Sequence, residues 1–465
     1  MRAVLFVVAF LVATCIVVLI LAGHRPGPTV AITKPDHLVG VSTSVDVSVT
    51  APGGKLTALQ IVIDQDGKST PLATMSATDT AALPHTGDTV TVSKMISRDT
   101  VPDLKSGAAT ISVTATRPVL FGLRTATSTT THPVQVRLEK PLISVVSTHH
   151  YINVGGAEMV IYRVRPADIA SGVMVGDREY PGYPATGATV GDVHLTDPSL
   201  QVAFFSLLWD EPSSTNVYLY ARDEAGNTAR AELDHKVFPK APRRSTIELP
   251  DAFLNRVVPA IEAGSPDEKT SGSLLDQFLV LNGDLRRKNA AKIASFAAHT
   301  SPDMLWGGEV FYKFANTKAE SAFADQRTYR YQGREVDHQT HLGFDLASFA
   351  NSPVHAANRG KVLYAADLGI YGNCIIIDHG LGVQSLYAHL SSFEVTVGAM
   401  VDKGQELGKS GQTGMAGGDH LHFTMLVNGQ AVNAVEWWDT KWMQDRVLRK
   451  VREAGGSVVG TDGAK

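Results

Sequence analysis

Short alternations of apolar and polar residues fill the chain from about residue 26 to residue 240. Runs such as VDVSVTA, LQIVID, ISVTATR and VYLYARD are rich in Val and Thr, and Gly, Pro, Asp and Asn separate them. A side-chain period of two with turn residues every ~8–12 positions predicts antiparallel sandwiches rather than helices. PTVAITKP at 28–35 resembles PLISVVST at 141–148, and ISVTATR at 111–117 resembles VYLYARD at 217–223. This repeat of about a hundred residues predicts two immunoglobulin-like β-sandwiches.

An unbroken apolar run, residues 3 to 22, follows Arg2 at the amino terminus. It is long enough to cross a bilayer as a helix, and it exceeds the apolar core of a secretory signal. Only a weak small-x-small site follows it, so an uncleaved anchor is favoured over a cleaved signal. The positively charged start predicts that residues from about 26 onward lie outside the cytoplasm.

Apolar residues at three- and four-residue spacing appear after the Pro- and Arg-bearing linker FPKAPRRST. The stretches LPDAFLNRVVPAIEA, SLLDQFLVLNG and DLRRKNAAKIASFAAHT therefore predict short helices, with helix starts at Asp251 and Asp284 and a stop at Gly283. Strand-like runs return from about 305 to 440, in a segment rich in Gly and His. The end of the chain, KWMQDRVLRKVREAGGSVVGTDGAK, predicts a short basic amphipathic helix and a frayed tail.

These patterns predict a multidomain, mainly β protein. Its parts are one transmembrane helix, two immunoglobulin-like β-sandwiches, a helical connector and a small antiparallel β-sheet domain. The predicted boundaries are 1–25 for the anchor, 26–137 and 138–238 for the sandwiches, 239–304 for the linker and connector, 305–440 for the last β domain, and 441–465 for the C-terminal helix and flexible tail.

Composition narrows the class of partner. The chain has 465 residues, of which 44% are hydrophobic and 19% charged, and its formal net charge is −4. This is ordinary globular composition without the basic excess of a nucleic-acid binder, so no nucleic-acid partner is expected. The two cysteines are Cys15, inside the apolar run, and Cys374. The exported part is therefore expected to fold without an internal disulfide, with Cys374 as a small buried residue.

Histidine and aspartate recur in three short stretches of the last β domain. In THLGFDL, His341 and Asp345 lie four residues apart and share one face of a strand or helix, and Gly343 favours a β segment. No Glu lies between them, unlike in the H-E-x-x-H peptidases. In GGDHLHFT, His420 and His422 share one face of a strand. An H-x-H doublet alone does not show a metal site, because it can occur by chance, so its interpretation depends on the other histidine and aspartate residues of this domain.

Together with His389 of SLYAHL, these residues meet the needs of a hydrolytic zinc centre. Such a centre uses three protein ligands and leaves a fourth position for water. His341, Asp345 and one histidine of the doublet supply that set. Two imidazoles then remain, and their ordinary pKa suits proton transfer near neutral pH.

Taken in order, HLGFD, SLYAHL, VDKGQELGKSGQTG and GGDHLHF resemble the lysostaphin-type (LytM-like) zinc metalloendopeptidases, which cut peptide cross-bridges in peptidoglycan. The resemblance covers roughly residues 305–440. It implies one Zn²⁺ ion held by His341, Asp345 and His422, with His389 and His420 at the catalytic positions. Which of those two takes the proton of the attacking water, and which holds the oxyanion, stays open. Thr424 stands where the family commonly has an acidic or amide residue, which predicts different hydrogen-bonding partners around the ligands or a different groove wall.

The resemblance implies a membrane-anchored, extracytoplasmic zinc metalloendopeptidase that hydrolyses peptidoglycan stems or cross-links. The expected location is the cell membrane, with a single span and most of the chain in the periplasm or on the cell surface. The expected partners are peptidoglycan peptide, the membrane through the N-terminal helix, and an envelope protein through the sandwiches. Two alternatives are a non-catalytic LytM-like scaffold that binds the wall or activates another hydrolase, and a peptidase for exported proteins.

Other conspicuous residues are expected to be structural. Residues 404–410, GQELGKS, have three residues between the glycines instead of the four of a phosphate loop, so no nucleotide site is expected. His379 is assigned to a hairpin turn, and Trp437 and Trp438 to the core. The segment 223–227 is interpreted as a plain turn rather than a calcium site.

Overall fold

The structure, a computed structural model, describes residues 2–23, 26–268 and 270–455. It divides into two compact units, the first made of residues up to Pro141 with 222–229, and the second of residues 142–221 with those from 230 onward. Strands dominate both units. The prediction of a mainly β, multidomain chain is confirmed.

The apolar segment near the amino terminus forms helix α1 (Arg2–Gly23). Among the helices in the described ranges, none is long and apolar enough to cross a membrane. The transmembrane helix stays a prediction.

The first module is a pair of sheets around a common core. Its elements are β1 (Thr29–Lys34), β2 (Leu38–Val39), β3 (Ser42–Thr50), β4 (Ala58–Gln65), β5 (Lys68–Ser76), α2 (Ala77–Ala81), β6 (His85–Thr86), β7 (Thr89–Ser97), β8 (Gly107–Val119) and β9 (Arg124–Val136). One sheet has the order β1-β3-β7-β6 and the other β2-β9-β8-β4-β5. Alternate residues of each sheet, such as Val45 and Val47 in β3 and Ile111 and Val113 in β8, are buried in one cluster. The period-two pattern therefore predicted the buried faces correctly.

The second module repeats this topology. Its strands are β10 (Leu142–Val145), β11 (His150–Asn153), β12 (Ala157–Arg165), β13 (Ala170–Val175), β14 (Arg178–Pro181), β15 (Tyr183–Pro184), β16 (Leu200–Ser206), β17 (Val217–Arg222), β18 (Thr228–Glu232) and β19 (His235–Phe238). The order β10-β12-β16-β15 matches β1-β3-β7-β6, and β14-β13-β17-β18 matches β5-β4-β8-β9. The weak internal repeat of the sequence thus reflects two copies of one arrangement, whose immunoglobulin-like character stays a prediction.

The turn after β17 is held by its own side chains. Asp223 Oδ1 accepts a hydrogen bond from the backbone N–H of Asn227 at 2.8 Å, and Asp223 Oδ2 accepts one from Asn227 Nδ2 at 2.9 Å. Both carboxylate oxygens are used within the turn, which agrees with the assignment of a plain turn.

The linker and connector combine one strand with helices. The elements are β20 (Arg243–Glu248), α3 (Asp251–Gly264), α4 (Leu274–Val280) and α5 (Arg286–Ser295). The predicted start at Asp251 is confirmed, but the predicted stop at Gly283 and start at Asp284 are wrong. A π turn, Leu281–Leu285, joins α4 to α5 without a break and keeps Leu281 and Leu285 buried.

The last β domain surrounds the motif residues. Its strands are β21 (Lys318–Ser321), β22 (Asp325–Tyr331), β23 (Arg334–His341), β24 (Phe344–Ala347), β25 (Pro353–His355), β26 (Gly360–Asp367), β27 (Asn373–Gly380), β28 (Val383–Leu390), β29 (Ser392–Phe393), β30 (Met400–Val401), β31 (Glu406–Lys409), β32 (Leu421–Val427) and β33 (Gln430–Val432). The main sheet has the order β21-β24-β32-β28-β27-β26-β30, and smaller sheets are β20-β22-β23 and β25-β31-β29. Cys374 and Trp437 are fully buried, as predicted. The GQELGKS segment contains strand β31 and no helix, as expected for a β setting.

Short helices at the C-terminus pack on the second module. They are α6 (Ala434–Trp438), α7 (Thr440–Met443) and α8 (Arg449–Ala454), with a π turn, Gln444–Leu448, between the last two. The buried ammonium of Lys450 lies 2.7 Å from the buried carboxylate of Glu158 in β12. Glu436 accepts hydrogen bonds from Asn153 Nδ2 and the N–H of Ala157, both at 2.7 Å. The predicted tail from residue 456 lies outside the described residues.

Candidate active site

Three neighbouring strands and one strand end bring the motif residues together. Asp345 in β24 pairs directly with His422 in β32. On the other side of β32, Ala388 pairs with the same His422, which places His389 at the adjacent strand end. His341 is the last residue of β23. Residues up to 81 positions apart in the chain therefore meet at one place.

His341, Asp345 and His422 form a compact group of metal-ligand type. His341 Nε2 lies 2.9 Å from Asp345 Oδ1 and 3.0 Å from His422 Nδ1, and His422 Nδ1 lies 3.1 Å from Asp345 Oδ1. Zinc ligands at about 2.0–2.2 Å from a tetrahedral ion lie about 3.3–3.5 Å from one another. The observed triangle is only a few tenths of an ångström smaller, so these residues fit a zinc ion.

Hydrogen bonds fix which ring nitrogen of each ligand histidine faces the group. His341 Nδ1 lies 3.2 Å from the carbonyl oxygen of Ala322, which can only accept, so Nδ1 carries the proton. The lone pair of His341 Nε2 then points toward Asp345. On His422 the outward nitrogen is Nε2, which lies 3.0 Å from the hydroxyl of Thr424. That hydroxyl donates its proton to the carbonyl of Leu342 at 2.9 Å, so it accepts from His422 Nε2–H and leaves Nδ1 unprotonated.

The guanidinium of Arg327 binds the carboxylate oxygen of Asp345 that faces away from the histidines. Arg327 Nη2 donates to Asp345 Oδ2 at 2.7 Å and to Ser321 Oγ at 2.8 Å. Burial would raise the pKa of Asp345, but the neighbouring imidazoles of His341, His420 and His422 hold it well below the usual range. Asp345 is therefore a carboxylate, the form that binds a metal.

The two remaining histidines face the same space. Nδ1 of His389 donates to the carbonyl of Thr413 at 2.8 Å, and Nδ1 of His420 donates to the carbonyl of Gly418 at 2.8 Å. Their ring centroids are 4.9 Å apart, and His420 Nε2 lies 3.4 Å from Asp345 Oδ1. Both rings therefore present Nε2 to the group of ligands, as the catalytic assignment requires.

Electrostatics differ between these two histidines. Burial and the nearby His420 and His422 lower the pKa of His389 well below its ordinary value. Burial acts in the same direction on His420, but the hydrogen bond and charge of Asp345 raise its pKa above the ordinary value. His389 also has a φ of 63°, a left-handed conformation that residues other than glycine seldom adopt, and such strain clusters at functional sites.

The space around Gly343 explains why the first motif has a glycine at this position. A Cβ at this position would lie 2.5 Å from His422 Nε2 and 2.5 Å from Thr424 Oγ1. Any larger residue would therefore push against the ligand and its hydroxyl partner.

A cavity of about 150 Å³ lies over the candidate site, and the connector contributes to its wall. Arg286 and Ala290 of α5 line it together with Tyr371 and Met415. The connector also shares an apolar cluster with this domain, in which its Phe278 packs with Tyr329 and Ile370. The cavity is thus bounded by helix as well as strand.

All five sequence-predicted residues meet at this cavity, but their supporting residues escaped sequence analysis. Arg327 lies in DQRTYRY, which carries no motif. The one usable signal was the turn residues Gln332-Gly333, because the hairpin they close places Asp325 opposite His341 and so brings Arg327 near the motif. His379 lies in strand β27 and not in the turn that follows it, so the predicted hairpin-turn position is wrong. It is fully buried between the carbonyl of Arg359 at 2.8 Å and the hydroxyl of Ser385 at 2.7 Å, in keeping with a structural role.

These features define a candidate metallohydrolase centre, and comparison with known proteins identifies its family. Residues 339–434 match the model of peptidase family M23, so the chain carries an M23 (LytM-like) domain there. A 95-residue segment is 42% identical to DD-carboxypeptidase/endopeptidase Mpg of Neisseria meningitidis serogroup B, covering 20% of this chain and 22% of that protein. A 96-residue segment is 38% identical to peptidoglycan DD-endopeptidase ShyA of Vibrio cholerae serotype O1, covering 21% and 22%.

A further relative is named as an activator of wall hydrolases and not as a peptidase. A 95-residue segment is 35% identical to the murein hydrolase activator EnvC of Escherichia coli, covering 20% of this chain and 23% of that protein. In each of these three relatives, the match spans less than a quarter of the protein's length.

Proposed function

We propose that this protein is a membrane-anchored, extracytoplasmic zinc metalloendopeptidase that hydrolyses peptide bonds in peptidoglycan stems or cross-links. The observation that carries the proposal is the group His341, Asp345 and His422, with ligand atoms 2.9–3.1 Å apart and two further histidines facing it. The name of the relative ShyA, a peptidoglycan DD-endopeptidase, supports the substrate class, and the name of Mpg, a DD-carboxypeptidase/endopeptidase, supports the peptidase activity.

In this proposal, different side chains bind the metal, transfer the proton and position the ligands. A zinc ion bound by His341, Asp345 and His422 would polarise the scissile carbonyl and acidify a water molecule. Of His389 and His420, one would accept the proton of the attacking water through Nε2 and the other would donate to the oxyanion. Arg327 would keep Asp345 ionised and in place. An extended peptide suits a site bordered by strands, where backbone groups can hold it.

The location and the roles of the other modules are part of the same proposal. The apolar run from residue 3 to residue 22 supports a single-pass anchor with the remainder of the chain in the periplasm or at the cell surface. The sandwiches would act as spacers or bind an envelope protein. Carbonate extraction of membranes and protease accessibility in intact cells would test this, and recovery of the full-length protein in the soluble cytoplasmic fraction would overturn it.

Wall digestion tests the enzymatic part. Purified peptidoglycan is incubated with the protein, with and without a zinc chelator, and released fragments are identified by mass. Chelator-sensitive release of peptide fragments is expected. Cleavage of exported proteins without cleavage of wall would favour the alternative protein substrate, and absence of both cleavage and bound zinc would overturn the enzyme proposal.

A second candidate function is a non-catalytic scaffold that activates another wall hydrolase. The similarity to EnvC, which is named as an activator, is the observation in its favour. The complete set of ligand-type residues favours the enzyme instead. Stimulation of a separate hydrolase by the His422→Ala variant would support the scaffold.

A further inference from the structure

A second, larger cavity adjoins the candidate active site. Its volume is about 700 Å³, and it shares Arg286, Arg327, Thr340 and Leu342 with the cavity over the metal-type residues. A molecule held in the larger cavity would therefore reach the reacting centre without leaving the protein surface.

Cationic side chains dominate this cavity, which is called the arginine groove below. Its charged and ionisable lining consists of Arg244, Arg286, Arg287, Arg327 and His338, and no carboxylate is among the described residues that line it. The remaining lining residues are polar or apolar, with Trp209 as the one aromatic ring other than His338 among them.

The arginines of the groove differ in their ion pairs. Arg287 pairs with Asp284, and Arg327 pairs with Asp345. In the described ranges, by contrast, no carboxylate forms an ion pair with Arg244 or Arg286. Arg286 instead bonds to the neutral side chain of Asn282 at 2.6 Å.

The fold places Arg244 two strands away from β23, which ends at the ligand-type residue His341. Strand β20 runs parallel to β22, with Arg244 opposite Gln326, and Gln326 lies opposite Thr340 of β23. Thr340 immediately precedes the ligand-type residue His341. Two strand spacings are about 10 Å, so Arg244 lies within the reach of one short peptide from the centre.

We propose that the arginine groove binds a carboxylate-bearing segment of the peptide substrate next to the bond that is cut. Guanidinium groups bind carboxylates through paired hydrogen bonds, and a groove without acidic lining favours an anionic ligand. The inference rests on the proposed peptidase function and adds to it a preference for acidic peptides, with Arg244 as a residue that determines specificity.

The test compares two synthetic peptides of one sequence, the first with free carboxylates and the second with those groups amidated. Arg244→Gln removes the charge, and Arg243→Gln serves as its matched control, because Arg243 is the exposed neighbour on the same strand but does not line the groove. KM and kcat are measured with each peptide, and fluorescence anisotropy measures binding of each labelled peptide independently of cleavage.

For the acidic peptide we expect Arg244→Gln to raise KM and the dissociation constant Kd at least about tenfold, with a smaller effect on kcat. The amidated peptide and the Arg243→Gln variant should show no such change. Equal Kd values of the unaltered protein for both peptides would overturn the inference while leaving the peptidase intact. Displacement of the acidic peptide by inorganic phosphate at equal concentration would also overturn it, because the groove would then be a general anion site. If neither peptide nor wall were cleaved, the proposed function would fail, and anisotropy would still decide whether the groove prefers carboxylates.

Discussion

Thr424 Oγ1 lies 3.0 Å from His422 Nε2 and donates its own hydrogen bond to the backbone carbonyl of Leu342. This hydroxyl therefore accepts from the imidazole and directs the lone pair of Nδ1 toward Asp345. Removing a hydrogen-bond partner that fixes the tautomer of a metal ligand typically weakens metal binding by about 10–100-fold.

We expect Thr424→Val to weaken zinc binding by about 10–100-fold, because the isosteric side chain cannot accept the proton of Nε2. Thr424→Ser keeps the hydroxyl and should bind zinc nearly as well as the unaltered protein. Titration against a chromogenic chelator measures both affinities. Equal affinity of the Val and Ser variants would contradict the tautomer assignment.

The two histidines of the H-x-H doublet should respond differently to removal. His422→Ala should lose zinc and activity together, since it removes one of the three ligand-type side chains. His420→Ala should retain most of the zinc and lose about 10²–10⁴-fold in turnover. Metal analysis and fragment release from wall material measure the two effects, with His194→Ala, an exposed histidine of the second module, as the control. Loss of zinc from His420→Ala would show that this division of roles is wrong.

Glu436 gives the contact between the C-terminal helices and the second module a pH dependence. Burial raises the pKa of Glu436 to about 7, assisted by the charge of Glu158 and opposed by hydrogen bonds from Asn153 and Ala157 and by the charge of Lys240. The folded protein thus favours the protonated form. Its contribution, on the order of 3 kcal/mol, is complete below the ordinary pKa of about 4.5 and is lost as the pH rises through about 7.

Glu436→Gln should therefore lose less unfolding free energy than the unaltered protein between pH 4.5 and pH 7. Thermal unfolding at a series of pH values measures this difference, and the exposed Glu406→Gln serves as the control. Parallel pH profiles for Glu436→Gln and the unaltered protein would show that Glu436 does not titrate in this range.

The apolar cluster under the connector should be necessary for stability. Phe278 is fully buried, with its ring 6.1 Å from Phe253 and 6.0 Å from Tyr329. Phe278→Ala should lower the free energy of unfolding by about 3–5 kcal/mol. Activity should fall as well, because Tyr329 also lines the cavity of the active site. Phe349→Ala, at an 87% exposed side chain, should change stability by less than about 0.5 kcal/mol. Urea unfolding compares the two, and equal midpoints would contradict the role of the cluster.

The chemistry-bearing residues were predictable because their spacing follows the strand period. His420 and His422 lie two apart and face one cavity, and His341 and Asp345 flank a glycine that the close approach of His422 requires. Local pattern also located the sandwich strands, since the buried Val45 and Val47 alternate with half-buried polar neighbours.

The supporting residues were not predictable because they act across long separations without a local pattern. Arg327 reaches Asp345 from another hairpin, and only the fold shows it. Strand β20 was assigned to a linker because its partner β22 begins more than 70 residues later, and a parallel pairing leaves no turn signal in the sequence. Gly283 misled for another reason, since burial of Leu281 and Leu285 outweighed the helix-breaking tendency of glycine.

The pairing of β20 with β22 has a consequence for how the catalytic region can be isolated or exchanged. A fragment that started at residue 305 would lack β20, and the hydrogen-bonding edge of β22 would be open to any passing strand, including the same strand of another copy. Arg243, Arg244 and Glu248 now occupy that border with charged side chains, a common protection against edge-to-edge association. The shortest fragment that keeps this edge of β22 paired should therefore begin no later than Arg243, the first residue of β20.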